Sequence, residues 1–340
     1  MHKLNRRSFI KMSMLAGAGV LAGVGLANRE SIESAILNGG RHRVSQSRAA
    51  LGTHVDITAI SHSQMQAEDA VAAAFDAVKR YESLFTRYNN QSHVCELNAE
   101  GRVDHIDPEL AAILTKCAFY HHETRGAFDI TVKPCIDLFK SCSDQGRHPT
   151  DSEIAEVMKF VGANRLHLEG NRLTIPEGMG ITLDGVAPGF IADRVAELLQ
   201  NHGITDYLVN AGGEIRTSGM PIHGESWRIA VQDPKHHGDY PGFIALNQGA
   251  VSTSGSYEIY YGQDRVFHHI VDAHTGKSPN TSVSVTVTAP TAIEADILST
   301  ALFVMNPEEA VAYADSHPGI GCLILDGQGN RIISRNFNLG

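Results

Sequence analysis

From Val283 to Thr288 the chain alternates valine with serine or threonine without a break, and three residues later Thr291-Ala-Ile-Glu294 forms a capping box. A period of two is the mark of a strand with one face in a core. A Thr followed three residues on by Glu satisfies the first unpaired amides of a helix, so a helix starts at Thr291. A strand that hands over to a helix within so few residues demands helix packed on sheet.

The remaining periodicities agree. Leu51–Ile60 alternates well enough for a first strand, and Val71, Phe75, Val78 and Phe85 carry helical spacing through 64–85. Asp107-Pro108 supplies an N-cap and a first-turn proline for a helix running to Tyr120. Residues 165–175 read as a hairpin turning at Glu169-Gly170-Asn171. Ile191, Val195, Leu198 and Leu199 form one stripe of a helix over 190–201, closed by Gly203. Strands follow at 207–209, 227–232, 243–246 and 321–325, and Asn306-Pro307 opens another helix. The expected class is α+β: a large, mixed, mostly antiparallel sheet with packed helices, plus a smaller helical portion.

Residues 1–27 hold Lys3, Arg6, Arg7 and Lys11, no acid, and a Gly/Ala-rich apolar stretch too short to span a bilayer. The segment Asn5-Arg6-Arg7-Ser8-Phe9-Ile10-Lys11 resembles a twin-arginine export motif, which implies the twin-arginine translocase as a transient partner and the periplasm as destination. Removing it would take the net charge from −10 to −14. Polar residues 28–48 read as a linker, leaving 49–340 as the folded domain. The acidic balance, with no basic run, argues against a nucleic-acid partner. Five cysteines lack any CxxC pair, so a zinc ribbon or dithiol redox site is not indicated and buried thiols are expected.

Several groups could carry chemistry. Asp296 and Thr300 lie one helical turn apart on one face, a carboxylate and a hydroxyl that suit a hard cation such as Mg²⁺, although cap and dipole chemistry also places an Asp near a helix start. His268-His269 ends a strand and precedes Asp272, an arrangement open to a general base, a ligand-orienting pair or a plain polar turn. Asp184-Gly185-Val186-Ala187-Pro188-Gly189 precedes a helix whose amides could face a pyrophosphate. That turn and Asn210-Ala-Gly212-Gly213-Glu214 are also adequate as tight connections; neither is a Walker loop or a GxGxxG fingerprint.

In order, eight stretches resemble the ApbE family of FAD:protein FMN transferases. They are Leu51-Gly-Thr53; Tyr88–Ser92 with Leu97-Asn98; Gly126–Asp129 with Thr131–Pro134; and Gly185–Asp193. They continue with Leu208–Gly213; Ser252–Gly255 with Tyr257; His268–Asp272 with Thr275-Gly276; and Ser282–Val287 with Glu294–Asp296. The resemblance covers residues 50–335. It implies that FAD is a substrate, that FMN passes to a threonine of an acceptor flavoprotein, and that AMP leaves. It places Mg²⁺ on Asp296, Thr300 and the Gly185 carbonyl, and FAD contacts near Leu51, Tyr88, Ala127, Phe128, Asp129, Thr182, Pro188 and Val271. His269 takes the family's functional histidine position.

The chain departs from the family where members usually read Asp-Leu-Gly-Gly-Ile-Ala-Lys-Gly and this sequence has Thr182-Leu-Asp-Gly-Val-Ala-Pro-Gly189. A carboxylate becomes Thr182, Asp184 is added, and Pro188 replaces a charged residue. Asp184 is therefore expected to turn toward the metal in place of the missing acid. These changes resemble the NosX-like, twin-arginine-exported branch, which implies a NosR-like membrane electron-transfer protein as acceptor. The rival readings are an FAD pyrophosphatase and a non-catalytic flavin-binding assembly protein.

Overall fold

A computed structural model describes residues 31–37, 39–87, 92–221, 224–232, 234 and 242–339. The export segment at 1–27 and the expected flavin contact Tyr88 lie outside the described residues. The chain opens with three strands, β1 (Ser31–Leu37), β2 (Arg41–Ala50) and β3 (Thr53–Ser61), then the helices α1 (Gln64–Phe85) and α2 (His93–Glu100) and the short strand β4 (Arg102–Val103). Helices α3 (Pro108–Glu123), α4 (Lys133–Asp144) and α5 (Asp151–Met158) follow, then β5 (His167–Glu169), β6 (Arg172–Thr174) and α6 (Ala187–Asn201). The second half is strand-rich: β7 (Asp206–Ala211), β8 (Ile215–Ser218), β9 (Trp227–Ala230), β10 (Phe243–Leu246), β11 (Gln248–Gly255), β12 (Tyr260–Tyr261) and β13 (Phe267–His268). It closes with β14 (Ser284–Ala289), α7 (Ala292–Val304), α8 (Pro307–Ser316), β15 (Gly321–Leu325) and β16 (Arg331–Ile333).

Nine strands form one sheet in the order β1-β2-β3-β7-β8-β11-β14-β15-β16. Every pairing in it is antiparallel, so the mixed character expected from sequence gives way to a uniform ladder. The expected linker over 28–48 is also corrected, because Ser31–Leu37 is β1 and Arg41–Ala50 is β2. Val44, Gln46 and Ser47 are buried in β2, and its ladder with β3 runs from His42–Ser61 to Ala50–Thr53. Strand polarity hid it: β2 carries three Arg, a His, a Gln and two Ser, and only Val44 is a large apolar residue.

Helices α1, α6 and α7 pack on one face of the sheet, and their apolar sides share the main core with β3, β7 and β14. A second cluster on the other face joins Ile215, Val251, Leu323 and Leu325 to Ile229 and Ile244 of the β9–β10 hairpin. Successive residues of a strand point to opposite faces, so β15 is buried along its whole length: Cys322 and Ile324 enter the first core, Leu323 and Leu325 the second. A third cluster seats α4 and α5 against the β12–β13 hairpin, with Phe139 and Phe267 rings 4.6 Å apart.

Candidate active site

Helix α7 is central and buried around most of its circumference. Thr291 caps it as expected, but the reciprocal half of the box is rearranged. Glu294 accepts from the Thr291 and Tyr120 hydroxyls, and the Ala292 and Ile293 amides go to the Asp193 carboxylate of α6. Burial raises the Asp193 carboxyl, and those two amides with Arg216 oppose the rise. This cross-helix cap fixes α6 against α7. Gly189 is required at the crossing: a Cβ there would stand 2.5 Å from the Ala292 carbonyl oxygen and 2.7 Å from Asp296 Cβ.

That close approach builds the site. The Gly189 amide donates to Asp296 Oδ2 at 2.9 Å, and Asp296 is only 3% exposed. The expected use of the α6 amino terminus is therefore corrected, since this first-turn amide faces a protein carboxylate, a favourable partner for the helix dipole. Pro188 sits half-buried in the same turn and is not among the residues lining the cleft. Gly185 approaches Thr300 so closely that a Cβ would meet Oγ1 at 2.9 Å. Asp296, Thr300 and Gly185 thus lie together on the cleft.

Beneath Thr300 lies a ladder of hydroxyls. Ser254 Oγ is 3.3 Å from Thr300 Oγ1 and 2.8 Å from Ser299 Oγ; Ser299 is 3.2 Å from Ser252 and donates to the Asp296 carbonyl. The stretch 252–255 was legible as a family segment but carried no role. Oxygen donors of one carboxylate, one hydroxyl and one carbonyl match a hard divalent cation. No cluster of three or more His, Cys, Asp or Glu side chains suited to a metal occurs among the described residues, so the remaining ligands would come from water and phosphate.

These groups open into a cleft that is partly open to solvent. Its other wall comes from the loop between α3 and α4. There Gly126 turns with φ +85°, the Thr124 hydroxyl accepts from the Phe128 amide, and the Thr182 amide donates to Ile130, tying the two walls together. Ala127, Phe128, Thr182 and Val271, named above as flavin contacts, line the cleft. Asp129 also lies there, but its carboxylate accepts from the Thr131 amide and hydroxyl and the Ala163 amide, with His121 Nδ1 3.4 Å away. Its carboxylate braces the loop. Leu51, at φ 55°, packs at the edge of the main core with its amide on Glu82 and does not line the cleft.

The histidine pair divides by strand alternation. His268 is 2% exposed, stands edge-on to Phe303 and bonds through Nε2 to the Pro279 carbonyl; burial lowers its pKa. His269 faces the cleft, with Nδ1 3.1 Å from the Ile259 carbonyl. A carbonyl only accepts, so Nδ1 carries the proton and Nε2 is the basic nitrogen of the neutral ring. Asp272 does not orient it. That carboxylate binds the His274 amide and ring and the Thr275 hydroxyl within its own turn. Glu214, from the Asn210–Glu214 turn, and Glu258, which the sequence did not single out, complete an acidic lining. The Asn210–Glu214 segment is a tight β7–β8 turn, with Asn210 Oδ1 accepting from the Gly213 amide.

The ApbE family model matches residues 51–324. The chain belongs to the ApbE family. An FAD:protein FMN transferase of Haemophilus influenzae is 31% identical over 254 residues, covering 71% of this chain and 73% of that protein. Among solved structures, the ApbE protein of Thermotoga maritima superposes with a TM-score of 0.79 at 30% identity, covering 86% of this chain and 97% of that one. The flavin transferase ApbE of Vibrio cholerae gives 0.75 at 28% identity, over 87% and 98%. This ApbE chain shares their α+β architecture through nearly their full length. Four of its five free cysteines are buried and Cys95 is half-buried; burial pushes Cys135 up to about 12 and Cys322 to about 11, which keeps both as unreactive thiols.

Proposed function

We propose that this ApbE-family chain is a Mg²⁺-dependent FAD:protein FMN transferase of the periplasm, delivered by the twin-arginine translocase, with a NosR-like flavoprotein as acceptor. The observation that carries the reading is the convergence of His269, Asp296, Thr300 and Gly185 on one cleft. The acceptor threonine oxygen attacks the phosphorus on the FMN side of the FAD pyrophosphate. The bond from that phosphorus to the bridging oxygen breaks, and AMP departs with the bridging oxygen. His269 Nε2 accepts the threonine proton while the Ile259 carbonyl holds the ring. Asp296, Thr300 and the Gly185 carbonyl would hold Mg²⁺, which when bound neutralises phosphate oxygens. Phe128, Ala127 and Val271 give the flavin an apolar wall.

The test is product analysis after incubation with FAD, Mg²⁺ and a purified acceptor domain. Transfer yields AMP and flavin bound to the acceptor in equal amounts. Free FMN at the same rate with and without acceptor would instead establish a pyrophosphatase, and bound but intact FAD an assembly protein.

A further inference from the structure

Asp184 was expected to turn toward the metal, and its observed partner is different. Its Oδ2 lies 2.8 Å from Arg87 Nη2, a guanidinium with 14% of its side chain exposed. The pairing follows from packing. Phe85 at the end of α1 meets Phe190 at the start of α6 edge-to-face, 5.6 Å between centroids, which brings the residues just past one helix beside those just before the other. Asp184 lines the cleft, together with Asp129, Glu214, Glu258 and Asp296, and neither Lys nor Arg does so among the described residues.

An organic pyrophosphate entering this lining meets several carboxylates, and Arg87 is the cation ion-paired to one of them, Asp184. We propose that Arg87, positioned by Asp184, anchors the pyrophosphate of the dinucleotide substrate, the pair working as one unit. This rests on the flavin transferase reading above. A guanidinium presents five donors in a planar fork, so it can serve a carboxylate and a phosphate together. Asp184 then has two effects: it holds the fork in place, and it becomes a repulsive charge if the fork is removed. The added carboxylate before α6 and the arginine just past the end of α1 make one device.

The experiment is a double-mutant cycle on FAD binding, read by flavin fluorescence in Mg²⁺ buffer, with riboflavin as the probe lacking phosphate. Arg87→Met should weaken FAD binding by about 10- to 100-fold, the range for a charge-assisted hydrogen bond, and leave riboflavin binding unchanged. Adding Asp184→Asn to Arg87→Met should recover part of that loss, and Arg87→Lys should lose less than Arg87→Met. Additive effects, equal losses for FAD and riboflavin, or unchanged FAD binding in Arg87→Met would overturn the anchoring role. Wild-type protein that takes neither probe would overturn the flavin reading itself, and with it this assignment.

Discussion

At the scale of single residues, the alternation of the strand decides which member of the histidine pair can act. His269→Ala should lower turnover by about 10²–10⁴-fold with the fold and metal affinity retained, measured by steady-state kinetics and calorimetric Mg²⁺ titration. His268 is a core residue, and its burial sets a pH dependence of stability. Its folded value lies below that of the unfolded imidazole, so the unfolded chain binds the proton more readily. The contribution is therefore full above about pH 6.5 and is lost as pH falls through the folded value. Urea melts across that window should show wild type losing stability faster than His268→Gln; parallel curves would contradict it. Asp296 is doubly used, since its Oδ2 also satisfies a buried amide. Asp296→Ala would orphan that amide, at about 1–3 kcal/mol, and mix folding with metal binding. Asp296→Asn keeps the acceptor and removes the charge, so it should abolish Mg²⁺-supported activity with a near-native melting temperature. Asp296 and Thr300 were legible because helical spacing puts them on one face. The Arg87–Asp184 pair was not, because nothing local relates a residue just past α1 to one just before α6.

At the scale of elements, what could be read from sequence was whatever a local rule dictates. The α1 boundaries follow from the stripe at Val71, Phe75, Val78 and Phe85, and the α7 start from Thr291. The turn at Gly170 and the proline-led starts of α3 and α8 were equally local. Strands β1 and β2 escaped because their polar residues form a ladder only once a partner strand lies beside them, and Ser252–Gly255 escaped as part of β11 because its partners are β8 and β14. The α6–α7 crossing carries a prediction. Gly189→Ala must push backbone against backbone, because the offending atom is the Ala292 carbonyl and not a flexible side chain. Overpacking of this kind costs about 1–3 kcal/mol, so the melting temperature should fall by a few degrees and Mg²⁺ affinity should fall with it. Unchanged melting and metal binding would show that the helices part without disturbing the site.

At the scale of the molecule, the nine-stranded order β1-β2-β3-β7-β8-β11-β14-β15-β16 sets the cleft where α6 and α7 meet the α3–α4 loop and the hairpin bearing His269. The fold class was legible from alternating strand and helix signals, but the strand order was not, since it depends on long-range pairing such as β3 with β7. Among the described residues no helix is long and apolar enough to cross a membrane. If the proposed twin-arginine export holds, replacing both Arg6 and Arg7 by Lys should leave the protein in the cytoplasm on fractionation; normal periplasmic delivery would contradict that proposal. Transfer of FMN to protein from this one cleft is read directly in the intact mass of a purified acceptor domain. With FAD, Mg²⁺ and wild-type enzyme the acceptor should gain the mass of one FMN moiety. With Asp296→Asn, or with the acceptor threonine replaced by alanine, it should gain nothing. An acceptor of unchanged mass beside fully hydrolysed FAD, or one modified equally well by Asp296→Asn, would contradict the account.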